Sequence, residues 1–274
     1  MTKPELARYY SEKDGDARGY VIPTRDNLRA YGVTSISGRY SDGKDAGGLA
    51  QYAADVTLRW ANENWSILGA RSDEANYRQG RFRWKDYTDH LAQVGTDAHE
   101  WIEADLTEQS LPDLWGESLE VADQWVALRQ QHWVDPLHVE RTVFHPEYGY
   151  AGTLDFGGDL DGVLTLGDVK TGRMLRENQR IQMAALAKCP IAMVKGGDGV
   201  WREEKAPEWE QYAFFHLRPD YYNPVNGISE QAYWEIEYVD PEEIDDLFQI
   251  FLGLLRGKEA EDRLKARRKE KADG

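Results

Sequence analysis

The sequence contains one cysteine, Cys189, in 274 residues. A single thiol cannot form a disulfide within the chain, and it cannot supply the cysteine ligands of a zinc or iron–sulfur centre. No stretch approaches the roughly 18 apolar residues that a membrane-spanning helix needs. The first residues, Met-Thr-Lys-Pro-Glu, also lack the apolar run of a signal peptide. We therefore expect no membrane association and a cytoplasmic protein.

Positive charge is also scarce, because 33 Lys and Arg residues face 49 Asp and Glu residues, for a net charge of −16. Nucleic-acid affinity comes mainly from neutralised phosphates, so the balance argues against tight binding over the whole surface. It leaves room for a local basic track, for which the sequence offers Lys170, Arg173, Arg176 and Arg180. A glycine-rich phosphate loop is absent as well, which argues against a hydrolase of a small phosphorylated substrate.

Two short segments in the middle of the chain carry the most informative pattern. Residues 150–156 and 163–169 are rich in apolar and β-branched residues, and a Gly-Gly-Asp-Leu-Asp-Gly turn signal separates them. The pattern predicts two antiparallel strands joined by a tight turn. Asp155 and Asp168 would then lie near one end of neighbouring strands. Lys170 is two residues after Asp168 and would point to the same face.

Two carboxylates that face one cavity repel each other unless a cation lies between them. Oxygen ligands of this kind suit Mg²⁺ or Mn²⁺ better than Zn²⁺. An ammonium group beside them can orient a water molecule or stabilise charge that develops on a phosphate. The hairpin therefore predicts a site for metal-dependent attack on a phosphodiester.

This pattern resembles the PD-(D/E)xK nuclease superfamily, in which Asp155 matches the first acid and Asp168-Val169-Lys170 matches the (D/E)xK motif. Outside the hairpin the resemblance is to the RecB-like exonuclease branch. That branch has an upstream helix with a histidine, here His99, and a glutamate before the first strand, here Glu140.

Two further segments extend the resemblance over residues 30–190. A downstream helix of the form Q-x-x-x-Y corresponds to Gln182 through Leu186, with leucine in place of the usual tyrosine, and Gln179 is an alternative for the glutamine. The segment Val33-Thr34-Ser35-Ile36 is similar to an opening segment of the branch. Iron–sulfur cysteines, common among its members, are missing here. Compact size is similar to that of phage-encoded exonucleases.

The resemblance implies a fold, a set of site residues and a substrate. The fold is α/β, with a mixed central β-sheet flanked by helices in a restriction-endonuclease-like core. One or two Mg²⁺ or Mn²⁺ ions would be bound by His99, Asp155, Asp168 and the carbonyl of Val169. Lys170 would be the catalytic lysine, and Glu140 and Gln182 would assist. The substrate would be DNA, cleaved from its ends during recombination, repair or replication, by the chain as a homo-oligomer or with a recombination partner.

Two other functions fit parts of the sequence. The chain could be a DNA-binding or assembly subunit with weak catalysis, although the intact Asp155, Asp168 and Lys170 speak against this. It could also be a metal-dependent hydrolase of a small phosphorylated substrate, which suits the acidic composition better.

Three regions are predicted along the chain. An N-terminal helical region spans 1–94 after an irregular arm in its first 30 residues, the nuclease core spans 95–257, and a charged tail spans 258–274. Hydrophobic periodicity predicts a helix over 45–70. Further helices are predicted over 96–109, where Thr96 would be the cap, and over 117–132, 176–188 and 243–257. Strands are predicted over 137–145, 191–201, 211–218 and 231–239. We expect four or five strands in the sheet, with the site at its edge.

Overall fold

A computed structural model describes residues 8–10, 17–42, 54, 57–58, 60–62, 64, 83–172, 174–222 and 229–273. Most of the helix predicted for 45–70 lies outside these residues, and so does Arg173. In the described ranges, no helix has both the length and the apolar character needed to cross a membrane.

The described strands run from β1 to β12 in chain order. Their bounds are Arg8–Tyr10, Ala17–Ile22, Leu28–Gly32, Val134–His145, Tyr150–Leu160, Val163–Lys170, Ile191–Lys195, Trp201–Lys205, Gln211–Arg218, Tyr221–Tyr222, Ser229–Glu230 and Tyr233–Val239. Six α-helices are described, α1 to α6. Their bounds are Val33–Ser37, Arg39–Asp42, Arg83–Leu106, Glu117–Arg129, Glu177–Ala187 and Glu243–Asp273.

Ten of the strands form one mixed sheet, which confirms the predicted α/β fold class. Most neighbours are antiparallel, and the parallel pairs are β3 with β5 and β6 with β9. The predicted hairpin is β5 and β6, paired from Phe156–Gly167 to Leu160–Val163. The strand β5 is central, because it pairs with β4 along its length, with β3 at its start and with β6 at its end.

Helices cover both faces of this sheet. On one face α3 and α4 enclose a core that includes Val94, Ile102 and Trp125 with Phe156 and Val169 from the strands. On the other face α1, α5 and α6 enclose a larger core. Its members from the sheet include Leu154, Leu166 and Phe214. The two cores hold the hairpin rigidly from both sides, which fixes the strand ends that carry the acidic residues.

Several local predictions were wrong. Within the predicted irregular arm, Ala17–Ile22 forms strand β2, and Leu28–Gly32 forms strand β3, because β2 pairs with β3 and β3 pairs with β5. The sheet has ten strands where four or five were expected. Thr96 does not cap a helix: α3 begins at Arg83, and the Thr96 hydroxyl donates to the Ala92 carbonyl inside it.

Two other differences follow from turns and from tertiary packing. The predicted strand over 191–201 is interrupted, since a Gly-Gly-Asp-Gly turn separates β7 from β8. The helix predicted to end near 257 continues to Asp273, so the charged tail is helical. One contact that holds its continuation is the hydrogen bond from the Tyr31 hydroxyl to the Asp262 carboxylate, at 3.0 Å.

Candidate functional site

A gap in the strand pairing exposes one short stretch of β5. Along the same side of this strand, the pairing with β3 stops at Ala151 and the pairing with β6 begins only at Phe156. Asp155 lies in the interval between them. Its carboxylate accepts a hydrogen bond from the Val169 amide at 3.0 Å. A side chain thus takes the place of a backbone partner where the two strands diverge, so the predicted sheet-edge site lies at an internal gap.

His99 approaches the same carboxylate from α3. Val94, Ala98 and Ile102 anchor this helix on the sheet, and the spacing of these residues places His99 over the gap. Its Nδ1 atom is 3.5 Å from Oδ2 of Asp155. Both side chains keep some solvent contact, with 30% of the histidine and 18% of the aspartate exposed. The pair is therefore accessible to an ion from solvent.

Glu140 completes a cluster of three potential metal ligands. It lies on β4 between Val139 and Arg141, which pair with the residues on either side of Asp155. One ligand atom each from His99, Glu140 and Asp155 lies within 4.8 Å of the other two. Glu140 also has a positive φ of 47°, a strained conformation for a residue other than glycine in a strand. Strain of this kind concentrates at functional sites, so it adds to the interest of this cluster.

The three side chains line a cavity of about 260 Å³. Glu103 lines it as well, one helical turn after His99, although it is not among the residues that the sequence assigned to the site. The four-residue spacing of His99 and Glu103 on one helix was the signal for it, because such residues share a face. The remaining walls are apolar and include Trp125 and Phe156. Much of this volume is open to solvent, so the enclosed part has room for a single ion or water and for no large substrate.

Asp168 and Lys170 lie beside this cluster as a buried ion pair. The Lys170 ammonium contacts the Asp168 carboxylate, and only 5% of the Asp168 side chain is exposed. The pKa of Asp168 is raised to about 7, because burial and, to a smaller extent, the nearby Asp155 carboxylate outweigh the opposing charge of Lys170. Burial lowers the pKa of Lys170, but the charges of Asp168 and Asp155 outweigh it, so its pKa lies above the ordinary value.

The predicted ligand set and the observed cluster differ in part. Glu140, which was predicted as an assisting residue, is one of the three residues whose ligand atoms lie close together. Asp168, which was predicted as a metal ligand, pairs with Lys170 instead. Val169 contacts Asp155 through its backbone amide, and its side chain lines the cavity. Coordination by its carbonyl stays a prediction.

The downstream helix contributes less than expected. Gln182 is half-buried on α5 and is not among the described residues that line the cavity. Gln179, the alternative, has a structural role. Its side-chain Oε1 atom accepts a hydrogen bond from the Arg176 backbone amide at 2.7 Å, which stabilises the first turn of the helix. Arg180 pairs with Glu237 and Glu243. This last pairing removes one member from the predicted basic track.

No protein-family model matches the sequence, and a search among curated proteins finds no relative. The chemistry of the site therefore rests on its own geometry.

The donor set fits a hard divalent cation. One imidazole nitrogen and two carboxylates lie within reach of one another, a combination that suits Mg²⁺ or Mn²⁺, and the nitrogen favours Mn²⁺ of the two. Burial is the main cause of the raised pKa of Asp168, and the neighbouring Asp155 carboxylate adds a smaller effect that a bound cation would offset. His99, Glu140 and Asp155 would hold such an ion, with Asp168 next to them.

Proposed function

We propose that this protein is a metal-dependent deoxyribonuclease that hydrolyses phosphodiester bonds of DNA with Mg²⁺ or Mn²⁺. The observation that carries the proposal is the convergence of His99, Glu140 and Asp155 beside the Asp168–Lys170 pair, at the point where β5 and β6 diverge. The ordered resemblance of these residues to PD-(D/E)xK nucleases of the RecB-like branch supports it.

The side chains divide the chemistry between them. A bound divalent cation would supply a more acidic water and charge stabilisation for the phosphate. Lys170 places a cationic ammonium next to the cluster, so it would orient the attacking water or stabilise negative charge in the transition state. Asp168 fixes the ammonium through the ion pair. The strained Glu140 and the neighbouring Glu103 would accept protons or hydrogen bonds from waters in the cavity.

The substrate is proposed to be DNA, attacked from its ends, in recombination, repair or replication. The cavity of about 260 Å³ is too small for a nucleotide but opens where the strands diverge, so a chain of nucleotides would present only its phosphate there. A cytoplasmic location and a homo-oligomeric or partner-bound state belong to the same proposal.

The acidic composition favours a second candidate function, the hydrolysis of a small phosphorylated substrate. The reason is that a net charge of −16 opposes contact with long nucleic acid. A third, a DNA-binding or assembly subunit with little catalysis, would keep the fold without using the site. The following experiment separates the nuclease function from these two alternatives.

End-labelled linear DNA and closed circular DNA are incubated with Mg²⁺ or Mn²⁺ and either the wild type or Lys170→Ala. The control variant is Lys205→Ala, whose ammonium pairs with Glu208 on the surface. Loss of linear DNA only, abolished in Lys170→Ala and kept in the control, establishes an exonuclease at this site. Cutting of circles establishes an endonuclease. Intact DNA with demonstrated metal binding contradicts the nuclease proposal and favours the small-substrate or assembly function.

A further inference from the structure

A second and larger cavity opens next to the proposed nuclease site. It is a groove of about 630 Å³ between α3, the ends of β6 and β9, and the start of β12. Leu91 and Val94 form an apolar wall, and Tyr233 and Arg218 form part of the opposite side. The groove is more than twice as large as the cavity that holds the candidate metal ligands. Its volume is sufficient for a planar organic group such as a nucleobase.

Two elements connect this groove to the candidate site. On α3, Val94 lines the groove and His99 lines the smaller cavity, five residues and about 7.5 Å apart along the helix axis. On β6, Val169 lines the smaller cavity and Thr171, two residues later, lines the groove. A separation of about 7 Å corresponds to about two steps of a stacked strand, at 3.4 Å each. A base bound in the groove would therefore belong to a nucleotide about two steps along the strand from a phosphate held at the site.

The aromatic ring of Tyr233 is held in place by its neighbours and presents a flat surface. The Arg218 guanidinium lies over the Tyr233 ring at 3.6 Å from its centre. Glu235 accepts a hydrogen bond from Arg218 at 2.9 Å, which fixes the guanidinium against the ring. Tyr233 keeps 38% of its surface exposed, unusual for a large aromatic side chain with so ordered a neighbour. An aromatic ring that is both fixed and exposed is suited to stacking on a flat ligand.

The charged side chains around the groove determine which chemical class of ligand it can bind. Glu117, Asp220 and Glu230 line it, while Arg218 already pairs with Glu235. Three carboxylates repel a phosphate, so the groove cannot be a track for the DNA backbone. Glu117 already pairs with His90, and Asp220 already accepts a hydrogen bond from the Ala232 amide. Each carboxylate has further lone pairs that can accept hydrogen bonds from N–H groups, and every nucleobase carries such donors on its edge. The complementary ligand is a neutral, flat group with N–H donors.

We propose that this groove binds an unpaired nucleobase of the DNA strand whose phosphate lies at the cluster of His99, Glu140 and Asp155. The inference rests on the proposed nuclease function, which it deepens by naming a single-stranded or frayed end as the substrate. The base stacks against Tyr233 and Leu91, and the carboxylates bind its edge. The backbone remains outside, toward Lys170.

The experiment measures binding without cleavage. A fluorescent eight-nucleotide single strand is titrated with protein in EDTA at low ionic strength, beside a strand of equal length with abasic sites. We expect the abasic strand to bind at least fivefold more weakly, and Tyr233→Ala to weaken binding of the normal strand by about fivefold or more, in line with the loss of one base–aromatic stack. Tyr233→Phe keeps the ring and should restore binding.

Tyr238→Ala is the matched control, because Tyr238 is an exposed tyrosine of the same strand and does not line the groove. Thermal unfolding of each variant shows whether the fold is kept. Equal affinity for normal and abasic strands, equal losses in the two alanine variants, or no binding of either strand overturns the inference. Base-dependent binding without cleavage under Mg²⁺ or Mn²⁺ would refute the nuclease proposal alone, whereas cleavage without base dependence would refute the groove alone.

Discussion

The Asp155 carboxylate accepts a hydrogen bond from the Val169 amide, at 3.0 Å, where the pairing of β5 and β6 ends. This single contact joins the first acid of the site to the middle of the Asp-Val-Lys segment. It holds Asp155 toward His99 and keeps Asp168 and Lys170 within electrostatic reach. The site is therefore built by the strand ends, and any change that alters their divergence should alter it.

Removal of the imidazole should discriminate between metal ions. We expect His99→Ala to weaken Mn²⁺ binding at least about tenfold and Mg²⁺ binding less, because a nitrogen ligand favours Mn²⁺ of the two. Isothermal titration with each ion measures the change. His90→Ala is the control, since His90 is on the same helix but pairs with Glu117 outside the cluster. Unchanged affinity for both ions in His99→Ala would show that the imidazole is not a ligand, and equal losses would show that it does not discriminate between them.

Metal affinity should rise with pH through about 7. Asp168 has a pKa raised to about 7 by burial, so below that pH a proton competes with a cation at the cluster. We expect the apparent Mn²⁺ dissociation constant to fall between pH 6 and pH 8 in the wild type. The dependence should be smaller in Asp168→Asn, which cannot ionise. An unchanged slope in Asp168→Asn would assign the titration to another group.

The same group should make the metal-free protein less stable at higher pH. The folded pKa of Asp168 lies above its unfolded value of 3.8, so its contribution is fully present below pH 3.8 and is lost as pH rises through about 7. Between pH 5 and pH 8 the loss is about 3 kcal/mol, because about two pKa units are crossed at 1.36 kcal/mol each. Urea unfolding in EDTA at both pH values measures it. Asp168→Asn should remove most of the difference, and an equal difference in that variant would contradict the assignment.

Glu140 should show opposite effects on stability and on metal binding. Its φ of 47° is strained for a side chain with a Cβ atom, and glycine adopts it freely. We expect Glu140→Gly to lose Mn²⁺ affinity but to gain up to about 1 kcal/mol in the free energy of unfolding. Glu140→Ala removes the same carboxylate without relieving the backbone, so it is the control. Equal unfolding free energies for the two variants would show that the strain is not significant.

Gly167 should tolerate no side chain. A Cβ atom at this position would lie 2.5 Å from the Phe215 ring and 2.9 Å from the Phe156 ring, both inside the core under α3. We expect Gly167→Ala to cost about 1–3 kcal/mol of stability and to reduce metal binding, because it displaces the strand that carries Asp168. Chemical denaturation and titration measure the two effects. Gly197→Ala, in a surface turn with open space around it, should change neither.

Much of the central architecture could be predicted from local patterns. The Gly-rich turn between two apolar segments predicted β5 and β6, and the Q-x-x-x-Y resemblance together with Pro190 after it predicted α5. These elements carry their signals within a few residues. The strands β2 and β3 were missed, because their polar, mixed sequence forms strands only through pairing with β5. The continuation of α6 beyond residue 257 was missed for a similar reason, since contacts such as Tyr31 with Asp262 hold its charged end.

The sequence by itself determined which chemical groups are available: one cysteine, a strong excess of acids, and an ordered series of His99, Glu140, Asp155, Asp168 and Lys170. The tertiary structure determines which of these groups lie together in the candidate site and which form other contacts. It joined Glu140 with His99 and Asp155, paired Asp168 with Lys170, and committed Arg180 and Gln179 to structural contacts. The physical reason is that ligand distances depend on where β5 loses its neighbours and on how α3 packs across that gap. Both are set by contacts between residues far apart in the chain.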